Sequence, residues 1–446
     1  MNVVLGREDL MAARMSKVAF AATVGTTIEW YDFFIYGTAA ALVFNKLFFP
    51  QVDPLIGTLL AFGTSATGFL ARPLGAIVAG HYGDRVGRKA LLMITLVFMG
   101  GATCLIGLLP TYASIGIFAP ILLLVLRVIQ GFATGGEWGG AALMTVEHAG
   151  DKRRGLWGSL ITVGIVLGLV IASLVFNLFT LLPDDAFMSW GWRIPFLLSA
   201  VLVVIGLYMR LSVAESPEFK KMADRGEREK QPMIAALKEW RSILTIFLIR
   251  TAENFSFYIF AAFSLTYVSS VLGLPKTIVL NAVIVAALAE CVTSVLFGLL
   301  ADRIGSKKVM LIGLTIQLLL AFPFFWLLES KSPGLITLAL TLGFGLANGA
   351  ISSVQPDYFA RFFAANIRYS GISLGREAAT VIGAGLAPVI ATALVSWSGA
   401  SWPVALCMGG TSLLGLAAVI LAGNKGDVTS NNELSPLEVS GQVRKA

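Results

Sequence analysis

GHYGDRVGRK, residues 80–89, and GLLADRIGSK, residues 298–307, decide the architecture. Both fit G-x-x-x-D-R-x-G-x-[KR], and Asp84 and Asp302 stand 218 residues apart. Each copy follows one long apolar run and precedes another. One copy of so short a pattern carries little weight. Two copies in equivalent turns, about half a chain apart, point to a duplicated unit.

Working outward from these turns, apolar runs of about 20 residues are long enough to cross a bilayer as helices. They fall at 18–45, 55–80, 90–109, 117–147, 155–181, 193–212, 241–270, 277–300, 309–328, 334–358, 370–397 and 402–422. The predicted fold is all-α and membrane-integral, with twelve helices in two six-helix bundles, 18–213 and 241–422. The long polar segment 214–240, with KKMADRGEREKQP at its centre, reads as the linker; 1–17 and 423–446 read as tails. Duplicated bundles of this kind belong to carriers that rock two halves about a central site.

Lysine and arginine set the orientation. They gather at the N-terminus (Arg7, Arg14, Lys17) and in every second loop, for example Arg85, Arg88, Lys89 and then Lys152, Arg153, Arg154. The intervening loops hold only Lys46, Arg193, Lys276 and Lys331. Both termini are therefore expected in the cytoplasm of a bacterial inner membrane. The formal net charge of +7 is thus a topology signal, and no nucleic-acid partner is expected.

Of the 446 residues, 57% are hydrophobic and 13% charged. A soluble domain is about a quarter charged, so this chain expects lipid around it. Cys104, Cys291 and Cys407 have neither disulfide nor metal spacing, and His81 and His148 form no cluster. The first apolar stretch is too long, and too acidic, for a cleavable signal peptide. No phosphate-cradling loop or nucleophile elbow is present. The expectation is no enzyme, no metal and no cofactor, with an ion gradient as the energy source.

The paired turns resemble the signature loop of the major facilitator superfamily. GTTIEWYDFFIYG (25–37), FLARPLGA (69–76), RVIQGFATGGEWGGAAL (127–143), SWGWRIPF (189–196) and AESPEF (214–219) resemble the metabolite:proton symporter family, and within it the shikimate-carrying branch. The resemblance covers nearly the whole chain. It implies symport of a small organic anion with protons, the substrate being shikimate-like, an aromatic acid or a di- or tricarboxylate. Relatives in the family also carry zwitterionic osmolytes, and an uncoupled facilitator or exchanger is the other alternative. A functional monomer is expected. At 376–377 the shikimate branch has a tyrosine followed by an amide, whereas this chain has Arg376-Glu377, which suits a substrate with a further acidic group.

An ionisable side chain inside a membrane helix marks an ion or substrate path by default. Glu29 and Asp32, three apart on the first helix, are read as sharing a face, where two close carboxyls do not ionise together cheaply. On the fourth helix Arg127 offers a planar fork for a carboxylate, with Gln130 on the same face. In related proton-coupled sugar carriers an aspartate of helix 1 pairs with an arginine of helix 4, which implies an Asp32–Arg127 pair that substrate weakens. Asp32, Glu29 and Arg127 are thus the expected coupling residues. Arg127, Gln130, Trp138, Arg250, Asn254, Gln355, Arg376 and Glu377 are the expected substrate contacts. Arg250 and Glu253 are placed to neutralise each other; adjacent Arg376 and Glu377 are read as not sharing a face, so that at least one needs a partner elsewhere. Glu137, about 80° around from Arg127, lies in GGEWGG, which also reads as a close-packing surface. Glu290 on the eighth helix has no assigned role.

The turns themselves read as a gate. Asp84 is suited to cap a helix N-terminus, and Arg85, Arg88 and Lys89 to hold carbonyls and acids of neighbouring helices. Gly80, Gly87, Asp302 and Arg303 belong to the same element, with Arg72 either locking this side or drawing anions inward. Glu147 and Arg154 match the family's companion pair. Its second-half counterpart reads Arg361 and Arg368, so either the latch is asymmetric or Arg361 turns to Asp357.

Overall fold

The computed structural model describes residues 7–52, 54–150 and 153–423. Twelve long helices are present there. The first, α1, runs Arg7–Ala39 and continues through a π-turn to Leu47; α2 is Pro54–Val86. The rest of the first half is α3 Arg88–Leu108, α4 Phe118–His148, α5 Arg154–Thr180 and α6 Asp184–Leu211. The second half is α7 Trp240–Val271, α8 Lys276–Ile304, α9 Ser306–Glu329, α10 Pro333–Ala360, α11 Arg368–Ser398 and α12 Trp402–Leu421. By length and composition α3 to α12 are each apolar enough to cross a membrane. Helices α1 and α2 are as long, and their buried side chains include Glu29, Asp32, Arg72 and Asp84.

Exposure is inverted relative to a soluble protein. Leu174, Tyr208, Leu319, Trp326, Trp397 and Leu421 lie on the outer surface, while Arg88, Arg376 and Asp32 are buried. Lipid tails cover such an exterior without cost, and the polar groups must then satisfy one another inside.

Several boundaries differ from the hydropathy reading. Helix α1 starts eleven residues before position 18, because REDLMAARMSK is rich in helix formers although it is polar. Helix α2 runs on to Val86, so most of the first signature turn is helical and the break is Gly87, at φ +124°. Gly305 breaks the second copy at φ +94°. Both values favour glycine. Helix α6 starts at Asp184 rather than 193, passing through a π-turn at Phe187–Gly191. The linker holds two short helices, Pro217–Asp224 and Pro232–Lys238, each opened by a proline in its first turn.

The halves meet through two equivalent crossings, α2 on α11 and α5 on α8, with α5 also against α10. The first glycine of each signature copy sits at a crossing. A Cβ on Gly80 would lie 2.7 Å from the Ser370 Cα, and one on Gly298 would lie 2.7 Å from the Gly155 carbonyl. Any side chain there would hold the halves apart. The glycine-rich GGEWGG turn of α4 packs similarly against Tyr369, Ser373, Ala79 and Leu92.

Candidate functional site

Two small cavities lie where the bundles face each other. The first is lined by Glu29, Trp30, Arg72, Arg127 and Gln130 among others, the second by Trp30, Trp138, Arg250, Asn254, Glu290, Gln355 and Arg376 among others. Trp30 of α1 walls both.

A chain of charges joins the halves beside them. Glu29 of α1 lies 3.6 Å from Arg72 of α2, and Arg72 Nε donates to Glu377 of α11 at 2.6 Å. Arg376 also pairs with Glu377. Adjacent residues on a helix point about 100° apart, which argued against that pair; the long guanidinium arm wraps back and makes it. Glu377 therefore serves two arginines from opposite halves. Arg376 in turn lies over Trp138 of α4, its guanidinium carbon 4.1 Å from the ring centroid. On α7 Arg250 pairs with Glu253, as the spacing suggested, and lies 3.5 Å from the Gln355 amide oxygen. Asn254 donates to Thr380 at 3.2 Å. Several donors remain unused: Arg127 Nε, Arg250 Nε, Arg376 Nε and Gln355 Nε2 are buried without a hydrogen-bond partner.

The expected Asp32–Arg127 ion pair is not made. Asp32 accepts from Thr103 Oγ1 of α3 at 2.8 Å and from Ser199 Oγ of α6 at 2.5 Å. Gln130 Nε2 donates to Thr103 Oγ1 at 2.8 Å, and Arg127 Nη1 donates to Gln130 Oε1 at 2.5 Å. Acid and arginine are thus joined through a hydroxyl and an amide. Arg127 rests over the Tyr36 ring at 4.1 Å instead. The shared face of Glu29 and Asp32 also divides: Asp32 turns between α3 and α6, Glu29 towards α2 and the other half. No hydrogen bond joins the two carboxyls among the described residues.

The signature turns build a latch at one end of the molecule. Asp84 accepts from the backbone N–H of Tyr369 and Ser370 at 3.2 and 2.9 Å, and from Ser370 Oγ at 2.9 Å, capping α11 of the opposite half. Asp302 does the same for α5, accepting from Gly155 and Leu156 at 2.7 and 3.1 Å. A carboxylate on the positive end of a helix dipole is stabilising on both counts. Between the caps Glu147 pairs with Arg88 and Arg368. Arg88 Nη2 also reaches the Ala365 carbonyl at 3.1 Å, and Lys89 Nζ the Leu211 carbonyl at 2.9 Å.

Of the other expected latch contacts, the Arg361–Asp357 alternative is made and the rest are corrected. Arg154 does not pair with Glu147 but with Glu218 of the linker, at 3.2 Å, because Glu147 is taken by two other arginines. Arg361 turns to Asp357 at 2.7 Å, and Arg368 crosses to the other half. Arg85 is exposed and reaches only His81, and Arg303 is exposed. Glu137 turns away from both cavities and pairs with Arg210 of α6.

Three linker residues were missed as latch parts. Glu218 binds Arg154 and Arg368, Ser216 donates to Glu147, and Glu215 accepts from the Lys89 N–H at 3.1 Å. Burial alone would raise the Glu218 pKa, but Arg368, Arg154 and Arg88 outweigh it and hold it below the ordinary glutamate value. The signal was in AESPEF: Ser216-Pro217 is a helix start, Ser216 accepting from the Phe219 N–H at 3.2 Å, and it fixes the acids around it. Thr103 and Ser199 were missed because a hydroxyl inside an apolar helix carries no pattern.

Two bundles joined by a linker, latched by cross-capping at one end and lined with paired charges at the centre, define a membrane transporter. The profile of the Major Facilitator Superfamily matches residues 22–375, and the chain belongs to that family. It is similar to the shikimate transporter of Escherichia coli (strain K12), 43% identical over 397 residues covering 88% of this chain and 91% of that one. It is 45% identical to the inner membrane metabolite transport protein YhjE of the same organism, over 84% of this chain and 87% of that one. Among solved structures, the E. coli proton:xylose symporter XylE superposes with a TM-score of 0.69 at 16% identity, over 92% of this chain and 95% of that one, which shows the shared fold.

Proposed function

We propose that this protein is a proton-coupled symporter of a small organic anion, shikimate-like, aromatic or di- or tricarboxylic, in a bacterial inner membrane. It needs no cofactor beyond the proton gradient and works as a monomer by alternating access. Both termini and the latch face the cytoplasm, so the conformation described is closed on that side.

One observation carries the coupling half of this reading. Thr103 has a single hydroxyl proton and two acceptors in reach, Asp32 at 2.8 Å and the Met99 carbonyl at 3.0 Å. Turned to Asp32 it serves the carboxylate; turned to Met99 it can accept from a protonated Asp32. Both protonation states of Asp32 are therefore satisfied without moving a helix. A buried acid fixed by an arginine would be held in one state only. The anion half rests on the four central arginines, whose unpaired Nε groups at Arg127, Arg250 and Arg376 offer donors to a carboxylate. A substrate carboxylate that takes Arg127 from Gln130 reorients the amide, the Thr103 hydroxyl and so the protonation of Asp32.

The test is uptake into proteoliposomes of labelled shikimate, aromatic acids, di- and tricarboxylates, betaine and a sugar, with and without an outside-acid gradient. Accumulation of an acid only under the gradient is expected. Asp32→Asn should cut that accumulation at least about tenfold, one proton's worth per pH unit, while counterflow exchange continues. Equal uptake with and without the gradient would remove the proton from the mechanism, and uptake of betaine alone would replace the anion.

A further inference from the structure

Glu290 of α8 is 2% exposed and lines the second cavity. Its Oε1 accepts from Asn348 Nδ2 at 2.7 Å and from Ser352 Oγ at 3.4 Å. Its Oε2 takes no hydrogen bond from any described residue, and no guanidinium pairs with it. The charged groups that share the cavity are Arg250, Glu253 and Arg376, and both arginines are committed to other acids. Helices α5 and α10, packed against α8, bring only neutral side chains to this cavity, such as Thr162 and Ser352. Cys291, next along α8, is the remaining titratable neighbour. An ionised carboxylate so placed is costly; a neutral one is cheap, and its Oε2–H is a donor at the wall of that small cavity.

The charges of the whole centre give this acid a meaning. Four guanidiniums, Arg72, Arg127, Arg250 and Arg376, stand among five carboxyls. Glu29, Glu253 and Glu377 each lie against a guanidinium, and as ion pairs they offset three of the four cations. Asp32 and Glu290, one in each half, touch only hydroxyls and an amide. With both ionised the centre holds one excess negative charge and repels an anion. With both protonated it holds one excess positive charge, which a monocarboxylate cancels.

Resting on the symport reading above, we infer that Glu290 is a second proton-carrying site, so that each monocarboxylate crosses with two protons, one on Asp32 and one on Glu290. The proton enters on Oε2 from the outward side, is held while the anion lies against Arg250 or Arg376, and leaves to the inward side when the anion departs. Each half of the molecule thus carries one titrating acid.

The steady-state gradient counts the protons. Proteoliposomes are clamped to zero membrane potential and given an outside-acid step of about one pH unit, with labelled shikimate and labelled 4-hydroxybenzoate as probes. Each coupled proton multiplies the accumulation about tenfold, so about 100-fold is expected for the native protein and about tenfold for Glu290→Gln or for Asp32→Asn. The double variant should hold no gradient. A native ratio of only about tenfold, or Glu290→Gln still at the native ratio, overturns the second site while leaving symport standing. No accumulation of either acid by a native protein that accumulates a di- or tricarboxylate withdraws the two-proton monocarboxylate cycle alone, and no accumulation of any acid of the panel withdraws both. The native ratio needs no variant to fold, and Glu290→Asp, which restores the acid, should recover part of the lost factor.

Discussion

Asparagine at position 84 tests whether the latch is held by charge. Asp84 is buried and receives three hydrogen bonds from the first turn of α11, two of them from backbone N–H groups. Hydrogen bonds to a charged group contribute about 1.5–3 kcal/mol each, and a buried charge at a helix end up to about 2 kcal/mol. Asparagine keeps one acceptor oxygen in place and loses the charge and the second oxygen. A net cost of about 2 kcal/mol to the closed state follows, or about 30-fold in the closed-to-open ratio. The reporter is Ser373→Cys in a background with Cys104, Cys291 and Cys407 replaced. Ser373 is buried against Gly139 of the opposite half and becomes accessible only when the latch parts. Its labelling by a membrane-permeant maleimide should speed up about 30-fold in Asp84→Asn. Asp302→Asn is the internal comparison: Asp302 makes two such bonds from an exposed position, where water competes, so a smaller rise is expected. Unchanged labelling in Asp84→Asn, or a larger change at Asp302, would refute charge capping as what holds this end shut.

Three further outcomes are expected. Thr103→Val leaves Asp32 and Gln130 each short of a partner, so gradient-driven uptake should fall at least about tenfold and Thr103→Ser should restore it; normal uptake in the valine variant excludes the relay. Glu377→Gln strands two guanidiniums and Glu253→Gln one, so the melting temperature in detergent should fall further for Glu377→Gln; the reverse order would deny Glu377 its bridging role. Glu218 titrates below its ordinary value of 4.5 because Arg368 and Arg154 outweigh its burial. A depressed acid stabilises its contacts above that value and loses them as pH falls through the lowered one. The Glu218-dependent part of Ser373→Cys labelling, read as the difference from Glu218→Gln, should thus be flat from neutral pH down to about 4.5 and vanish only in stronger acid, while Glu218→Gln labels faster at neutral pH; opening near neutrality that Glu218→Gln abolishes would contradict this.

Legibility in the sequence followed the range of the interaction. The helix number and the two halves came from hydropathy and from the repeated turn, both properties of a continuous stretch. The Arg250–Glu253 and Arg361–Asp357 pairs came from spacing along one helix, which the backbone itself enforces. Contacts across helices did not follow. Which arginine Glu147 meets depends on Arg88 and Arg368 arriving from two other helices, and nothing local says that they outcompete Arg154. The position of Asp32 depended on the rotation of α1, which an all-round apolar helix leaves unmarked. A turn of about 60° separates Asp32 from Glu29 at three-residue spacing, enough to send one acid between α3 and α6 and the other to Arg72.

That same rotation separates two kinds of buried acid. Glu147, Glu253 and Glu377 each lie against at least one guanidinium; changing their charge would strand a cation in low dielectric, so they suit contacts that break and re-form whole as the halves move. Asp32 and Glu290 are held by hydroxyls and an amide, partners that tolerate either protonation state, so they suit a proton that comes and goes while the helices stay put. A carrier has to keep these events distinct, because a latch that opened on protonation alone would leak protons without substrate. The link between them in this molecule is the substrate site itself: Arg127 reaches Asp32 only through Gln130 and Thr103, and Arg376 shares Glu377 with Arg72 of the opposite half. An anion that engages both arginines draws on the relay and on the bridge together, which is the condition for coupling proton loading to the movement of the halves.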